Sequence, residues 1–413
     1  MTNNPNQPRK DDAVLGGQSP PPVEGVVLGG IEGVKSRLAS AVVEARIAAL
    51  SEALHYGDTG LDLVIGALKD ESEQVQHSAS LLLKNSPNPQ AKQALFDYDP
   101  WLFFTTLENW KLEEFDPEIG IADPMGTAYG VSAGNIDKLL EDPQISNFEA
   151  LVCEYHYYRS GHKDDFAEIL SDASAKLTRL KAIFIGDVDM VDELGGYKAS
   201  RIELSEDYSY LLAAYPNLEV LQLRGKDDME FSPLQHNYLK TLIIETGGLS
   251  KDTLAQICTL KLPRLEYLEL WLGSERSFYG CGDSFIDDVM PIIGGVAFPE
   301  LKYLGLCSSD YSDYIALAVA RSPFIRKLKI LNLSKGNLTD VGAEALLNCP
   351  AINHLHTLNL TMNLLSPTMI ERLSHLNCQV MAQSQDEEYE IYSSRSRYET
   401  YPVGIERYFA LFE

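Results

Sequence analysis

Long apolar runs are missing from this chain. Among its 413 residues, no stretch approaches the roughly 18 uninterrupted apolar positions of a membrane-spanning helix, so none is expected. Cations are scarce as well. Thirty-four Lys and Arg stand against 60 Asp and Glu, a formal net charge of −26. A surface so acidic repels phosphate backbones over a Debye length, which argues against nucleic acid and anionic membranes as partners. The six cysteines (Cys153, Cys258, Cys281, Cys307, Cys349 and Cys378) form no C-x-x-C pair and are widely scattered. That pattern fits neither a disulfide frame nor a zinc site; free thiols in a reducing cytoplasm are the expectation. No apolar h-region follows the basic pair near the N-terminus, so no secretory signal is expected.

Motifs of catalysis and cofactor binding are also wanting. There is no G-x-x-x-x-G-K-[ST]; Gly33-Val34-Lys35-Ser36 breaks the Gly-Lys step. Neither G-x-G-x-x-G after a strand, nor H-E-x-x-H, nor G-x-S-x-G occurs. His354 and His356 bracket a strand start without a third ligand, and His156 and His162 are no better placed. Asp283, Asp287 and Asp288 lack calcium-loop spacing and read as acids at a helix N-terminus. No cofactor and no metal is therefore expected.

What is present is a repeat. Residues 1–33, rich in Asn, Pro and Gly, read as a disordered arm. From Val34 a helical stripe runs through VKSRLASAVVEARIAALSEALHYG, with Leu38, Val42, Ala45, Ala49 and Ala53 on one face and Gly57 as the stop. Leu68, Asp70, Val75, Ala79 and Leu82 then follow the L-x-D-x4-V-x3-A-x2-L spacing of a HEAT-like helix pair, so 34–98 reads as an all-α HEAT-like segment. Residues 99–147, aromatic-rich and then broken by Pro and Gly, read as a connecting or capping segment, helix or strand undecided.

From Phe148 a frame L-x-x-L-x-L recurs: FEALVC, LKAIFI, LEVLQL, LKTLII, LEYLEL, LKYLGL, LKILNL and LHTLNL. Positions 1, 4 and 6 are apolar and point inward, and a helical stretch follows each frame. Strand, turn and helix at about 27 residues is the ribonuclease-inhibitor-like class of leucine-rich repeat. The expected fold is an α/β solenoid over 148–383, a horseshoe with a parallel concave sheet and outer helices, closed by a C-terminal cap or tail at 384–413. The Asn usual after each strand survives only as Asn363. Gly247, Gly273, Ser309 and Gly336 replace it, so the turn backbone there must find other partners. The insert LGSERSFYGCGDS should bulge after Trp271.

The phrases FDPEIGIADPMGTAYGV, IFIGD, YPNLEVLQLRG, LKTLIIETGGL, LEYLELWLGS, LKYLGLCSSDYSD and ERYFALFE, spread from Phe115 to Glu413, are more specific than the frame. Through them the chain resembles a bacterial group of cytoplasmic leucine-rich-repeat proteins. The resemblance implies an interaction module without a proven activity.

Frame positions 3, 5 and 7 should face the concave side. They gather Tyr267, Trp271 and Tyr303, with Glu245 and Glu269 beside them and Arg224 two strands away. Tyr, Trp and Arg are the residues enriched at binding hot spots, so these six form the candidate binding site. The competing reading is that the aromatics lie beneath a covering loop or the helical segment. The function expected is a non-enzymatic scaffold or adaptor for another protein, with basic partners favoured by the acidic surface. Alternatives are direct regulation of a partner enzyme or small GTPase, or an enzyme with a carboxylate cleft at Glu245 and Glu269.

Overall fold

The computed structural model describes residues 30–84, 86–155, 166–187, 203–273, 282–383 and 385. Residues 1–29 of the arm, the insert at 274–281, and the tail apart from Gln385 lie outside the described residues; the last four residues read as arm, 30–33, belong to the first helix. The chain divides into two compact units between Phe103 and Phe104.

The first unit is helical, with helices Gly30–Leu38, Val43–Ala53, Gly57–Gly66, Glu73–Lys84 and Pro89–Tyr98. Val34, Ala49, Leu50, Ala53, Val64, Val75, Ala79, Leu83 and Leu95 close its core. The stripe beginning at Val34 is continuous in sequence but not in space: the helix breaks after Leu38 and restarts at Val43. A long-range contact explains the break. The buried Arg46 guanidinium donates to the Ser40 carbonyl at 2.7 Å and reaches Asp70 Oδ1 at 3.1 Å. That bond satisfies a carbonyl the break leaves open and ties the two helical turns to the Asp70 loop.

The second unit is a solenoid. Thirteen strands are found among its described residues: β1 (Lys111–Glu114), β2 (Thr127–Ser132), β3 (Ala150–Glu154), β4 (Ala182–Asp187), β5 (Glu203–Leu204), β6 (Val220–Arg224), β7 (Lys226–Asp227), β8 (Thr241–Glu245), β9 (Tyr267–Gly273), β10 (Tyr303–Ser309), β11 (Ile330–Asn332), β12 (Thr357–Asn359) and β13 (Gln379–Met381). Strands β5 and β7 pair with each other, and the other eleven form one parallel sheet in sequence order. Parallel neighbours require a crossover, and most crossovers here carry a helix; among the described residues those from β1 to β2 and from β6 to β8 do not, so the helix expected after the frame LEVLQL is missing. Lys251–Thr259, Ser312–Arg321, Asp340–Leu347 and Pro367–Leu373 are four of the crossover helices. Ser250, Thr339 and Ser366 start three of these helices by accepting from the backbone N–H of Thr253, Val341 and Met369. The frame leucines between sheet and helices, such as Leu268, Leu270, Leu304, Leu306, Leu331 and Leu358, make one continuous buried core.

The sheet starts earlier than the leucine frames. The segment read as a connector or cap supplies β1, β2 and the helix Ala133–Leu140. TAYGVS keeps the facing of the frame but not its leucines: Tyr129 and Val131 stand in register with Leu151 and Cys153 and face the core, while Ala128, beside Ala150, belongs to a separate cluster on the opposite side of the sheet. From Glu149 to Lys302, frame position 2 holds charges that alternate in sign from coil to coil; Lys329 and His356 end the alternation. Lys181 pairs with Glu149 at 2.7 Å and Lys240 with Glu219 at 2.8 Å. The carboxyl of the next acid, Glu266, at the surface, is raised from its ordinary value by partial desolvation, a shift opposed by Lys240 and Lys302.

A strap crosses the concave face at the strand starts. Leu107 and Trp110 pack on Ala128, Ala150, Val152, Ala182, Phe184 and Val220. Further along, the Thr105 carbonyl accepts from the Thr241 hydroxyl at 2.6 Å. Phe104 ends the strap, its ring edge-on to Tyr267 at 5.3 Å and to Tyr303 at 5.9 Å. Small residues on β2, β3 and β4 make room for the larger strap side chains.

Candidate functional site

Beyond the strap, the concave face carries a polar and aromatic cluster on β6 to β11. Parallel register sets Tyr267 beside Tyr303, Glu269 beside Gly305, Trp271 beside Cys307, and Arg224 beside Glu245. The two tyrosine rings stack at 3.7 Å with planes 6° apart. Glu269 is the hub. It accepts from Trp271 Nε1 at 2.9 Å, from the Tyr267 hydroxyl at 3.3 Å, and from the Tyr303 hydroxyl. The Tyr303 oxygen in turn accepts from Asn332 Nδ2 at 2.9 Å. Burial holds both phenols well above the ordinary tyrosine value, and the Glu269 charge adds to the shift. They therefore remain donors at neutral pH.

Gly305 permits this arrangement. A Cβ at that position would lie 2.9 Å from the Glu269 Cγ and 3.1 Å from a Tyr303 ring carbon. Only a residue without a side chain lets Glu269 lean across β10 to the second tyrosine.

A second charge centre lies at the far ends of the strands. Arg224 Nε donates to Glu245 Oε2 at 2.6 Å, and the Gln222 amide donates to the same oxygen at 3.3 Å. The Arg224 guanidinium also sits 5.0 Å from the Phe184 ring centroid. The structure thus brings together Tyr267, Trp271, Tyr303 and Glu269, and joins Arg224 on β6 to Glu245 on β8, the strand next to β9. It differs from the expectation of solvent-facing aromatics: Tyr267 is 7%, Trp271 5% and Tyr303 1% exposed. Phe104 covers the tyrosine pair, so a loop lies over part of the face. Glu269, Arg224 and Gln222 retain partial exposure and form its accessible rim.

Sequence reasoning missed Lys335. Its half-buried ammonium stands 3.8 Å from the Trp271 ring centroid, in cation–π geometry. Burial lowers its pKa from the ordinary lysine value, while Cys307, Glu245 and Glu269 act to raise it. Its backbone is left-handed, with φ of 60°. Ser308 and Met362, at the same frame position one coil before and one coil after, share that geometry. The available signal was positional: Lys335 directly follows the concave residue Ser334, in a chain poor in cations. Phe104 gave no such signal, because it precedes every frame.

The turn expectations resolve in detail. Asn363, fully buried, donates to the Leu333 and Leu360 carbonyls at 2.8 and 3.0 Å and accepts from Leu338 N–H at 3.0 Å. Gly336 occupies the matching place one coil earlier, where a Cβ would lie 2.9 Å from the Asn363 amide oxygen. One asparagine thus fills the space of two coils. Asn337 serves the coil before, accepting from Ser312 N–H and donating to the Asp310 carbonyl.

Asp288 caps Phe285 N–H at 2.9 Å, and Asp283 accepts from Lys251 N–H at 2.9 Å. Among the described residues, no group of three or more His, Cys, Asp or Glu side chains is placed to hold a metal ion. His156 and His162 lie outside the described residues. The five described cysteines are free thiols, and burial pushes those of Cys153 and Cys307 far above the usual range. No described helix is long and apolar enough to cross a membrane.

No family model matches the chain. No curated protein matches it either. Among solved structures it is similar to a protein from Bacteroides fragilis, with 28% identity and a TM-score of 0.56 over 62% of this chain and 70% of that one. An internalin, InlF of Listeria monocytogenes, aligns at 16% identity over 64% of this chain and 73% of that chain, with a TM-score of 0.31, too low to bear on fold or function. The fold rests on the chain's own sheet: an α/β solenoid of leucine-rich-repeat type.

Proposed function

We propose that this chain is a non-enzymatic, cytoplasmic protein-interaction scaffold of the bacterial leucine-rich-repeat group, with a HEAT-like helical segment at its N-terminus. The partner docks at the rim of the concave cluster, on Glu269 and on Arg224 beside Glu245, over the floor formed by Tyr267, Trp271 and Tyr303. The observation that carries the reading is the Glu269 hub, a carboxylate held by three aromatic donors on a rigid sheet. Rigid aromatic side chains around a fixed charge are the composition of a binding hot spot. Both candidate carboxylates of an enzymatic cleft, Glu245 and Glu269, are taken up by neighbouring donors, which favours recognition over proton transfer. The free thiols support a reducing compartment. The surface charge of −26 favours a basic partner and speeds its encounter.

The test uses a partner captured from the native cell and then purified. Glu269→Gln and Trp271→Phe are measured against it beside Tyr314→Ala on the outer helices, where Tyr314 is 55% exposed. The reading expects the two concave variants to weaken binding at least tenfold and Tyr314→Ala to leave it unchanged. Equal affinity for all three, with the fold intact by circular dichroism, removes the concave face as the docking site.

A further inference from the structure

The seat over Trp271 has a feature that the interaction reading does not use. The indole N–H of Trp271 donates to the Glu269 carboxylate at 2.9 Å. A hydrogen bond from the indole nitrogen to a full negative charge pushes electron density back into the ring, which strengthens the pull of its face on a cation. The cation found there is the chain's own: Lys335 Nζ at 3.8 Å from the centroid. Among the described residues no carboxylate is within ion-pair distance of that ammonium, so the ring is its direct counterpart. Two further observations bear on Lys335. Its φ of 60° belongs to the turn, since Ser308 and Met362 share it in the neighbouring coils, so the backbone accepts different side chains at this place and lysine is the one that stands over the ring. Its ammonium is also half out of water, in a region where Glu245 and Glu269 supply negative charge and Arg224 opposes it.

We propose that the Trp271 face is a cation seat, occupied by Lys335 in the unbound chain and taken over by a lysine or arginine side chain of the partner. This inference rests on the concave-face reading and names the chemistry of what docks there. Lys335 is the resident occupant. A basic segment displaces it into solvent, where the released ammonium regains its full hydration. Charge complementarity favours the exchange, because the incoming cation belongs to a segment attracted by the acidic chain, whereas Lys335 brings no further contact.

The test needs no partner. The full chain is made with 5-fluorotryptophan, and the Trp271 fluorine resonance is assigned with Trp271→Phe. Choline chloride is titrated at constant ionic strength, with 3,3-dimethyl-1-butanol as the neutral probe of the same shape. The expected result is that choline shifts the Trp271 resonance with at least tenfold tighter affinity in Lys335→Met than in the wild type, while the neutral probe does not. Lys335→Gly is measured alongside, since glycine suits the left-handed backbone and keeps the fold available. Equal choline affinity in wild type and in either folded variant overturns the proposal, as does an equal response to the neutral probe. Because no partner enters this measurement, its failure leaves the docking face standing, and a failed docking test leaves the seat standing.

Discussion

Removing the Phe104 ring measures how firmly the strap is laid on the concave face. Phe104 is 3% exposed and touches the stacked tyrosines edge-on at 5.3 and 5.9 Å. Truncating a buried phenylalanine costs about 3–5 kcal/mol, transfer and cavity together. The two edge contacts account for roughly 0.5–1.5 kcal/mol each of that. The site lies at an end of the strap, where backbone can close over a void, so the lower part of the range, about 3 kcal/mol, is expected for Phe104→Ala. For a domain of this size 1 kcal/mol corresponds to roughly 2 °C in Tm, giving a fall of about 6 °C in the transition of the solenoid unit. Near-ultraviolet circular dichroism follows that transition chiefly through the solenoid unit, which holds all of the chain's 21 tyrosines except Tyr56 and Tyr98. Phe104→Leu, which keeps most of the apolar volume, should lose less than about 1.5 kcal/mol. A fall below about 2 °C for Phe104→Ala would refute the reasoning, because the ring would then be contributing no more than a surface contact.

Three further outcomes follow from the same geometry. His236 is buried, with Nε2 3.0 Å from the Tyr215 carbonyl and Nδ1 accepting from Leu239 N–H at 3.0 Å, and burial lowers its pKa below 6.5. The unfolded chain therefore binds the extra proton first: the stability from neutral His236 is full above pH 6.5 and is lost as pH falls through the lower folded value. Tm measured from pH 7.5 to 5.5 should drop in the wild type and drop less in His236→Gln. Asn363→Ala strips partners from buried Leu333 and Leu360 carbonyls and the Leu338 N–H, and urea unfolding should show a loss of about 2–3 kcal/mol. Gly305→Val places a side chain where Glu269 crosses β10 and should abolish partner binding in surface plasmon resonance while lowering Tm only modestly.

Coil positions were legible because the core demands them. Whatever partner a solenoid binds, leucines at frame positions 1, 4 and 6 must meet the helices behind the sheet, and Leu265, Leu268 and Leu270 meet them as read. The first two strands escaped for physical reasons, since TAYGVS fills its inward positions with Tyr129 and Val131 instead of leucine. KLEE is an edge strand whose side chains stay largely exposed, and edges need charge rather than leucine. The helix break after Leu38 escaped because the bond that fixes it, Arg46 to Asp70, joins positions no periodicity connects. In the candidate site the residue types and their register were readable, since period two assigns Tyr267, Glu269 and Trp271 to one face. Their burial was not readable, because it depends on Phe104, which reaches β9 and β10 from the start of the unit.

That difference bears on what the face can do. An aromatic patch covered at the strand starts and open only at its rim recognises a partner through what remains reachable: Glu269, Arg224, Gln222 and the half-buried Lys335. These groups are charged or polar, and the tyrosines beneath them hold Glu269 in place more than they offer contact area. Binding energy should then concentrate in charge-assisted contacts backed by a rigid aromatic floor, and the association rate should fall as salt rises. A hot spot built on exposed aromatic area would lose little affinity between low and high ionic strength. Affinity that survives such a salt titration unchanged would place the partner on some other surface of the solenoid.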